Sequence, residues 1–142
     1  MEKSTDSNII ADISAFFETR PEVVAVYVFG SYASGRQLSG SDVDIGILFD
    51  EQVNVSYTDH MDHYIAQLSR ICRKDIHPVV MNTAPEMLAE QILGQGRCIH
   101  EKDHKQLARY KMKMLSMILD FNYYKKMIQT GLVRKISGSS NG

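Results

Sequence analysis

One stretch constrains the fold more than any other, residues 23–50, which read VVAVYVFGSYASGRQLSGSDVDIGILFD. The apolar run Val23–Phe29 predicts a buried strand. Gly30 and Ser31 predict a sharp turn into a short helix, which Gly35 ends after one turn. A second apolar run beginning near Asp42 predicts the next strand, so two strands of one sheet are joined by a short helix and a polar loop.

Side chains of the second strand alternate between two faces, with Val43, Ile45, Ile47 and Phe49 on one and Asp42, Asp44, Gly46 and Leu48 on the other. The two carboxylates therefore point the same way, roughly 6–7 Å apart along the backbone. Their repulsion is costly unless a cation lies between them. Hard oxygen ligands favour Mg²⁺ or Mn²⁺, so this strand predicts a divalent metal site.

The turn before that strand predicts an anion site. Gly30 leaves the backbone open to close approach, and Ser31 begins a helix whose first N–H groups can bind phosphate. Phosphate donors on one side and metal-binding carboxylates on the other are what transfer from a nucleoside triphosphate requires. Arg36, just past the turn, could contact a triphosphate, although a loop arginine is the simpler interpretation.

Gly30-Ser31, ten intervening residues and Asp42-Val43-Asp44 resemble the Gly-Ser-x10-Asp-x-Asp signature of the DNA polymerase β-like nucleotidyltransferases. The size and flanking pattern are similar to the minimal nucleotidyltransferase (MNT) proteins, many of them antitoxins paired with HEPN ribonuclease toxins. The resemblance covers roughly residues 9–128. It implies an α/β (α+β) fold, a small mixed β-sheet with flanking helices like the nucleotidyltransferase palm.

The resemblance also implies the chemistry, which is Mg²⁺- or Mn²⁺-dependent transfer of AMP from ATP to a hydroxyl. Gly30 and Ser31 would bind the triphosphate, and Asp42 and Asp44 would hold the metal ions. Asp75 opens a strand expected beside the Asp-x-Asp strand, where the family carries an acidic residue. It would be the third metal ligand and would take the proton of the attacking hydroxyl, whereas a plain turn aspartate is the alternative.

The acceptor implied by the resemblance is a tyrosine of a HEPN toxin, which the transfer would neutralise. One alternative is a small-molecule transferase of the aminoglycoside type, although those carry an extra helical domain. A second alternative is an antitoxin that acts by binding alone, without catalysis.

Composition sets further bounds. The 142 residues predict one domain over 1–136, followed by a disordered tail over 137–142. A net charge of −1 gives no general attraction to nucleic acid, and no apolar run reaches the roughly 20 residues of a membrane span. The polar start lacks a signal-peptide core, and the two cysteines, Cys72 and Cys98, are expected to be reduced, so we expect a cytoplasmic protein.

The remaining elements follow from periodicity and capping signals. We expect helices over 6–19, from Ser56 to Cys72, from a Thr83-x-x-Glu86 capping box to Gly94, and over 104–129. Strands are expected over 75–81, where Pro78 indicates an edge or a bulge, and over 97–100.

The last helix carries two apolar rows, one from Leu107 to Ile128 and a second comprising Ala108, Met112, Leu115 and Leu119. One row would suffice to dock the helix on its own sheet. We therefore expect part of Leu107–Ile128 to contact another chain, either a HEPN toxin or a second copy. A fully buried terminal helix is the alternative.

A zinc site was also considered, on His60, His63, Cys72, His77, Cys98, His100 and His104. No Cys-x2-Cys pair is present, so zinc is not favoured. Cys72 falls on an apolar face and is expected in the core. His77 shares a face with Asp75 and could lie near the site, but a packed or half-exposed histidine is the simpler interpretation.

Overall fold

The computed structural model describes residues 6–35, 40, 42–53 and 57–141. Helices and strands follow in the order α1 (Asp6–Glu18), β1 (Val23–Phe29), α2 (Ser31–Ser34), β2 (Val43–Phe49), α3 (Tyr57–Cys72), β3 (Ile76–Val80), α4 (Glu86–Gln95), β4 (Arg97–Glu101) and α5 (His104–Asn141), with a 3₁₀ turn at Met81–Thr83. Strands and helices thus intermingle along the described chain, and the expected α/β class with a small mixed sheet is confirmed.

The four strands form one sheet in the order β3-β2-β1-β4. β1 pairs antiparallel with both β2 and β4, whereas β2 and β3 run parallel. Parallel neighbours need a long crossover, and α3 supplies it. Because β3 lies at the edge, Pro78 removes no hydrogen bond from the interior of the sheet, as its sequence position predicted.

Both faces of the sheet are covered, and each has its own core. One face packs against α1 and α3, through Ile9, Ile13, Phe17, Tyr64 and Leu68 among others. Met81 and residues of α4 and α5 pack on the other face, including Ala89, Ile92, Leu107 and Tyr110. The alternation predicted for β2 is confirmed, since Val43, Ile45, Ile47 and Phe49 lie in the first core and Leu48 lies in the second.

α5 is only partly attached to the rest of the protein. Asp103 caps its start, where its Oδ1 accepts a hydrogen bond from the Gln106 N–H at 3.1 Å. Leu107, Tyr110, Met114 and Ile118 are buried, but every described side chain from Leu119 to Gly131 is exposed. The helix also continues to Asn141, past the predicted end at Gln129 and into the residues expected to form a disordered tail.

One predicted helix start is wrong. α4 begins at Glu86 with Pro85 in the capping position and no side-chain cap, so Thr83 and Glu86 do not form a capping box. Proline suits this position because it has no N–H that would need a partner. The helix start predicted at Ser56 lies outside the described residues. No helix in the described ranges is both long and apolar enough to cross a membrane.

Candidate active site

A glycine turn lies at the end of β1. Gly30 has a φ of 71°, in the left-handed region, and its carbonyl accepts hydrogen bonds from the N–H groups of Ala33 and Ser34, both at 3.2 Å. α2 is a single turn and ends at Gly35, with a φ of 76°, as the sequence predicted. The chain therefore leaves a buried strand, turns sharply and presents the first N–H groups of α2 to its surroundings.

Asp42 and Asp44 lie directly beside this turn. Asp44 is paired with Phe29 of β1, the residue before Gly30. A Cβ on Gly30 would stand only 2.4 Å from the Asp44 Oδ2, far inside van der Waals contact. A side chain at position 30 would force the Asp44 carboxylate to move, so the predicted anion site lies directly against the predicted metal carboxylates.

His77 joins the two carboxylates. It lies opposite Asp44 in the parallel pairing of β2 and β3. Its Nε2 is 3.2 Å from the Asp42 Oδ2, and its Nδ1 is 4.0 Å from the Asp44 Oδ1. The ring is 58 % exposed, so it is a residue of the site floor rather than a core residue. From the sequence, a packed or half-exposed histidine was the simpler interpretation. The register between β2 and β3 is what brings His77 to the two carboxylates.

Electrostatics distinguish the two aspartates. Burial raises the pKa of the Asp44 carboxyl above its ordinary value; His77 lowers that pKa, and the nearby Asp42 raises it. Asp44 is 34 % exposed and Asp42 is 46 % exposed. The ionised form of the Asp44 carboxyl is therefore destabilised in the metal-free protein, and a bound cation would stabilise it.

Asp75 is less closely joined to the pair. Its carbonyl accepts a hydrogen bond from the Val43 N–H at 2.9 Å, which places its backbone beside Asp42, but its side chain is exposed. Within the described residues, no three His, Cys, Asp or Glu side chains are arranged as a ready metal site. A role for Asp75 as third ligand remains a prediction.

The donors present nevertheless fit a divalent cation. Two partly exposed carboxylates share one face with an open approach, which leaves ligand positions for water and phosphate oxygens. Mg²⁺ typically binds through one or two carboxylates together with waters and substrate phosphates. Two carboxylates with room for phosphate oxygens and waters match this mode of Mg²⁺ binding.

Other candidate residues lie elsewhere. Cys72 is buried, as expected, and burial raises the pKa of its thiol to about 11, so it is an inert core residue. Arg36 and the side chain of His60 fall outside the described residues, so the contacts predicted for them stay predictions. Zinc gains no support from the described side chains.

A mixed sheet that presents a glycine turn beside an Asp-x-Asp strand defines the palm class of nucleotide-transferring folds. Residues 11–105 match the family model described as "Polymerase beta, Nucleotidyltransferase", which is more than half of the chain. The chain belongs to this nucleotidyltransferase family.

A curated protein within this family is similar in sequence to this chain. The chain is 30 % identical over 79 residues to the protein adenylyltransferase MntA of Shewanella oneidensis. That match covers 54 % of this chain and 53 % of MntA, so the chain spans about half the length of the curated relative it matches.

Two solved structures show the same fold. One is a toxin–antitoxin with AMP-PNP, with a TM-score of 0.65 and 22 % identity, covering 91 % of this chain and 99 % of that one. The other is the tri-AMPylated Shewanella oneidensis HEPN toxin in complex with MNT antitoxin. Its TM-score is 0.64 and its identity 19 %, covering 91 % of this chain and 99 % of the matched chain.

Proposed function

We propose that this protein transfers AMP from ATP to a hydroxyl of a HEPN-type toxin, most simply a tyrosine hydroxyl, and thereby neutralises the toxin. One observation carries the proposal, which is the contact of Gly30 with Asp44 that joins an anion-binding turn to a pair of carboxylates. Family membership and the likeness to MntA support the reaction, and the toxin–antitoxin folds support the partner. Because ATP would be the donor, we expect the reaction to take place in the cytoplasm.

The chain's own residues would divide the work as follows. The open N–H groups at Gly30 and Ser31 would hold the triphosphate, and Asp42 and Asp44 would hold Mg²⁺ or Mn²⁺. A divalent cation bound there would neutralise phosphate charge and polarise the α-phosphoryl group. Its presence would also relieve the repulsion between Asp42 and Asp44, so nucleotide and metal should bind together.

Bond changes in the transfer balance without a further reactant. The acceptor oxygen forms a bond to the α-phosphorus of ATP, the bond from that phosphorus to the bridging oxygen breaks, and pyrophosphate leaves. The hydroxyl proton passes to a base, for which Asp75 is the proposed residue because its backbone lies beside Asp42. Holding both reactants against one sheet edge would supply the proximity that the reaction needs.

The direct test uses ATP labelled on the α-phosphate, with a HEPN-type toxin as the acceptor. Wild type should transfer label to the toxin, and label on the γ-phosphate should not transfer. Asp42→Asn with Asp44→Asn should abolish transfer, and Asp75→Asn should lower the transfer rate far more than it weakens ATP binding. Toxin bound tightly but never labelled would identify an antitoxin that acts by contact alone.

Metal dependence is tested separately by calorimetry with a non-hydrolysable ATP analogue. Binding should require Mg²⁺ or Mn²⁺ and should be lost in the Asp42→Asn, Asp44→Asn double variant. Equal affinity of wild type and double variant would contradict the metal assignment, whatever the outcome of the transfer assay.

A further inference from the structure

Beyond its last buried residue, α5 carries an apolar surface that no described part of the chain covers. We define the distal helix as residues 119–131, all of them exposed. Eight of the ten large hydrophobic side chains exposed among the described residues lie on α5, and six of these lie in the distal helix, namely Leu119, Phe121, Tyr123, Tyr124, Met127 and Ile128. The two others, Ile71 and Met87, stand alone on separate helices.

Such a surface is costly for a helix with no neighbour. A short helical segment in water is only marginally stable by itself and in proteins is held mainly by packing of an apolar face. Tyr123 and Tyr124 are each 65 % exposed, and Ile128 is 61 % exposed. Aromatic residues and methionine are also the types that anchor and adapt at protein interfaces. This surface is therefore suited to burial against another protein.

The charged residues around this apolar surface distinguish between a second copy of the chain and a different partner protein. From Leu119 onward the sequence has four basic residues, Lys125, Lys126, Arg134 and Lys135, and one acidic residue, Asp120. A second copy pairing through this segment would bring mainly basic residues together, with Asp120 as the single acidic residue of each copy. The Lys125 ammonium lies 5.4 Å from the centre of the Phe121 ring, so positive charge directly borders the apolar surface. The complementary partner has an apolar groove with acidic residues along its rim.

We propose that the distal helix is the docking element for the toxin of the proposed function, and that it fits an apolar groove bordered by Asp and Glu on that chain. The proposal rests on the proposed function for the identity of the partner. It is a helix-in-groove interaction, in which side chains three and four positions apart, such as Tyr124 and Ile128, anchor the helix. The distal helix is far from Asp42 and Asp44 in the sequence. Binding of the partner there would leave these two carboxylates free to bind metal and nucleotide.

The test measures the affinity of three variants for an inactivated form of the HEPN-type toxin that the wild-type protein binds. Tyr124→Glu with Ile128→Glu should weaken binding at least about tenfold, because buried aromatic and aliphatic anchors dominate interfaces. Lys125→Glu with Lys126→Glu should also weaken binding and reduce its dependence on salt. The matched control, Ile71→Glu with Met87→Glu, changes two exposed apolar residues elsewhere and should leave the affinity within about twofold.

Each other outcome overturns the proposal. Unchanged affinity in the Tyr124, Ile128 variant, or equal weakening in the control, would remove the distal helix as the docking element. A wild-type dimer in sedimentation that this variant dissociates would assign the surface to a second copy. Binding of a fluorescent RNA that the Lys125, Lys126 variant abolishes would assign it to nucleic acid. Circular dichroism of every variant verifies that it is folded.

AMP transfer at saturating toxin separates this proposal from the proposed function. A docking variant should regain transfer when toxin is in excess, whereas Asp42→Asn with Asp44→Asn should not. If the distal-helix variants lose toxin binding and the wild-type protein transfers no AMP, the proposed AMP transfer is refuted and the docking proposal stands. Transfer that proceeds with no contribution from the distal helix would refute the docking alone.

Discussion

At the scale of single residues, the site depends on a missing side chain. Gly30 lies against the strand that carries the carboxylates, and the Asp44 Oδ2 occupies the space that a Cβ would need. The positive φ of Gly30 adds a second constraint, because it is a conformation that other residues adopt only with strain. Both the backbone conformation and the available space therefore favour glycine at this position.

Gly30→Ala should lower both stability and nucleotide binding. The left-handed backbone alone costs about 1–2 kcal/mol for a residue with a Cβ, and the new methyl group would displace the Asp44 carboxylate. Urea unfolding and nucleotide calorimetry measure the two effects. Gly35→Ala is the matched control, because Gly35 also has a positive φ but has nothing within 4 Å of its Cβ position. It should lose stability only, and equal loss of nucleotide binding in both variants would contradict the proposed clash.

Asp44→Asn should stabilise the metal-free protein near neutral pH. Folding raises the pKa of Asp44, chiefly by burial, so the folded state holds that proton more tightly than the unfolded state. The stabilising contribution is therefore complete below the ordinary carboxyl range and is lost as pH rises through the raised pKa. Thermal unfolding in EDTA should show a gain for the variant near neutral pH that vanishes in strong acid. A gain that persists in acid would mean that the effect is not electrostatic.

Sequence reasoning succeeded at this scale where the answer is local. Asp42 and Asp44 share a face because of strand alternation alone, and Gly30 precedes them by a fixed spacing. His77 was considered near the site but not assigned to it, because its place opposite Asp44 depends on the register between β2 and β3, which a helical crossover sets and no short-range pattern encodes. The side chain of Asp75 depends on the same register, and its role is still a prediction.

At the scale of elements, a side chain continues the sheet where β3 ends. The Asn82 Oδ1 accepts a hydrogen bond from the Phe49 N–H at 2.8 Å, and its Nδ2 donates to the Phe49 carbonyl at 2.9 Å. The amide thus copies the backbone of one more strand residue beside β2. It fixes the 3₁₀ turn after β3, on which Met81 reaches into the core around Gly46.

Asn82→Ala should lower the free energy of unfolding by about 1–3 kcal/mol, because it removes two hydrogen bonds to the Phe49 backbone. Denaturant unfolding measures the loss. Asn122→Ala is the control, since Asn122 is exposed on α5 and should cost little. A loss of stability as large at Asn122 as at Asn82 would exclude the hydrogen bonds as its cause.

Element boundaries show where local signals reach their limit. The strand Val23–Phe29 was predicted with its observed bounds because all seven of its residues are apolar and buried. α4 starts after Pro85 instead of at a capping box, because Ala84 and Pro85 hold an extended backbone that a threonine cap at position 83 could not overcome. The last helix extends beyond its predicted end at Gln129, because the apolar periodicity ends near Ile128 whereas the helical backbone continues to Asn141.

At the scale of the whole molecule, α5 both completes the core and extends beyond it. Tyr110 is buried and donates a hydrogen bond to the Met81 carbonyl at 2.9 Å, so the first part of the helix is fixed to the sheet. Ile118 is its last buried residue among those described. The alternative of a fully buried terminal helix is wrong, since Met112, Leu115 and Leu119 are exposed, whereas contact of part of Leu107–Ile128 with another chain stays a prediction.

Deleting residues 121–142 should leave the free energy of unfolding almost unchanged, because no described side chain there is buried. Deleting residues 117–142 should cost about 2 kcal/mol or more, because it also removes the buried Ile118 and the partly buried Met117. Urea unfolding compares the two truncations. Equal stability of both would contradict the division of α5 into a core part and a distal part.

The pairing of β1 has a consequence for synthesis. Its neighbour on one side, β2, follows directly, but its neighbour on the other side, β4, leaves the ribosome only much later, as the pairing of Ala25 with Glu101 requires. Gly30, Asp42, Asp44 and His77 all emerge before that second edge of β1 is closed. A nascent chain therefore exposes these predicted site residues before β4 pairs with β1, and the distal helix emerges later. In terms of the proposed function, the residues proposed to bind nucleotide are synthesised before those proposed to bind the partner.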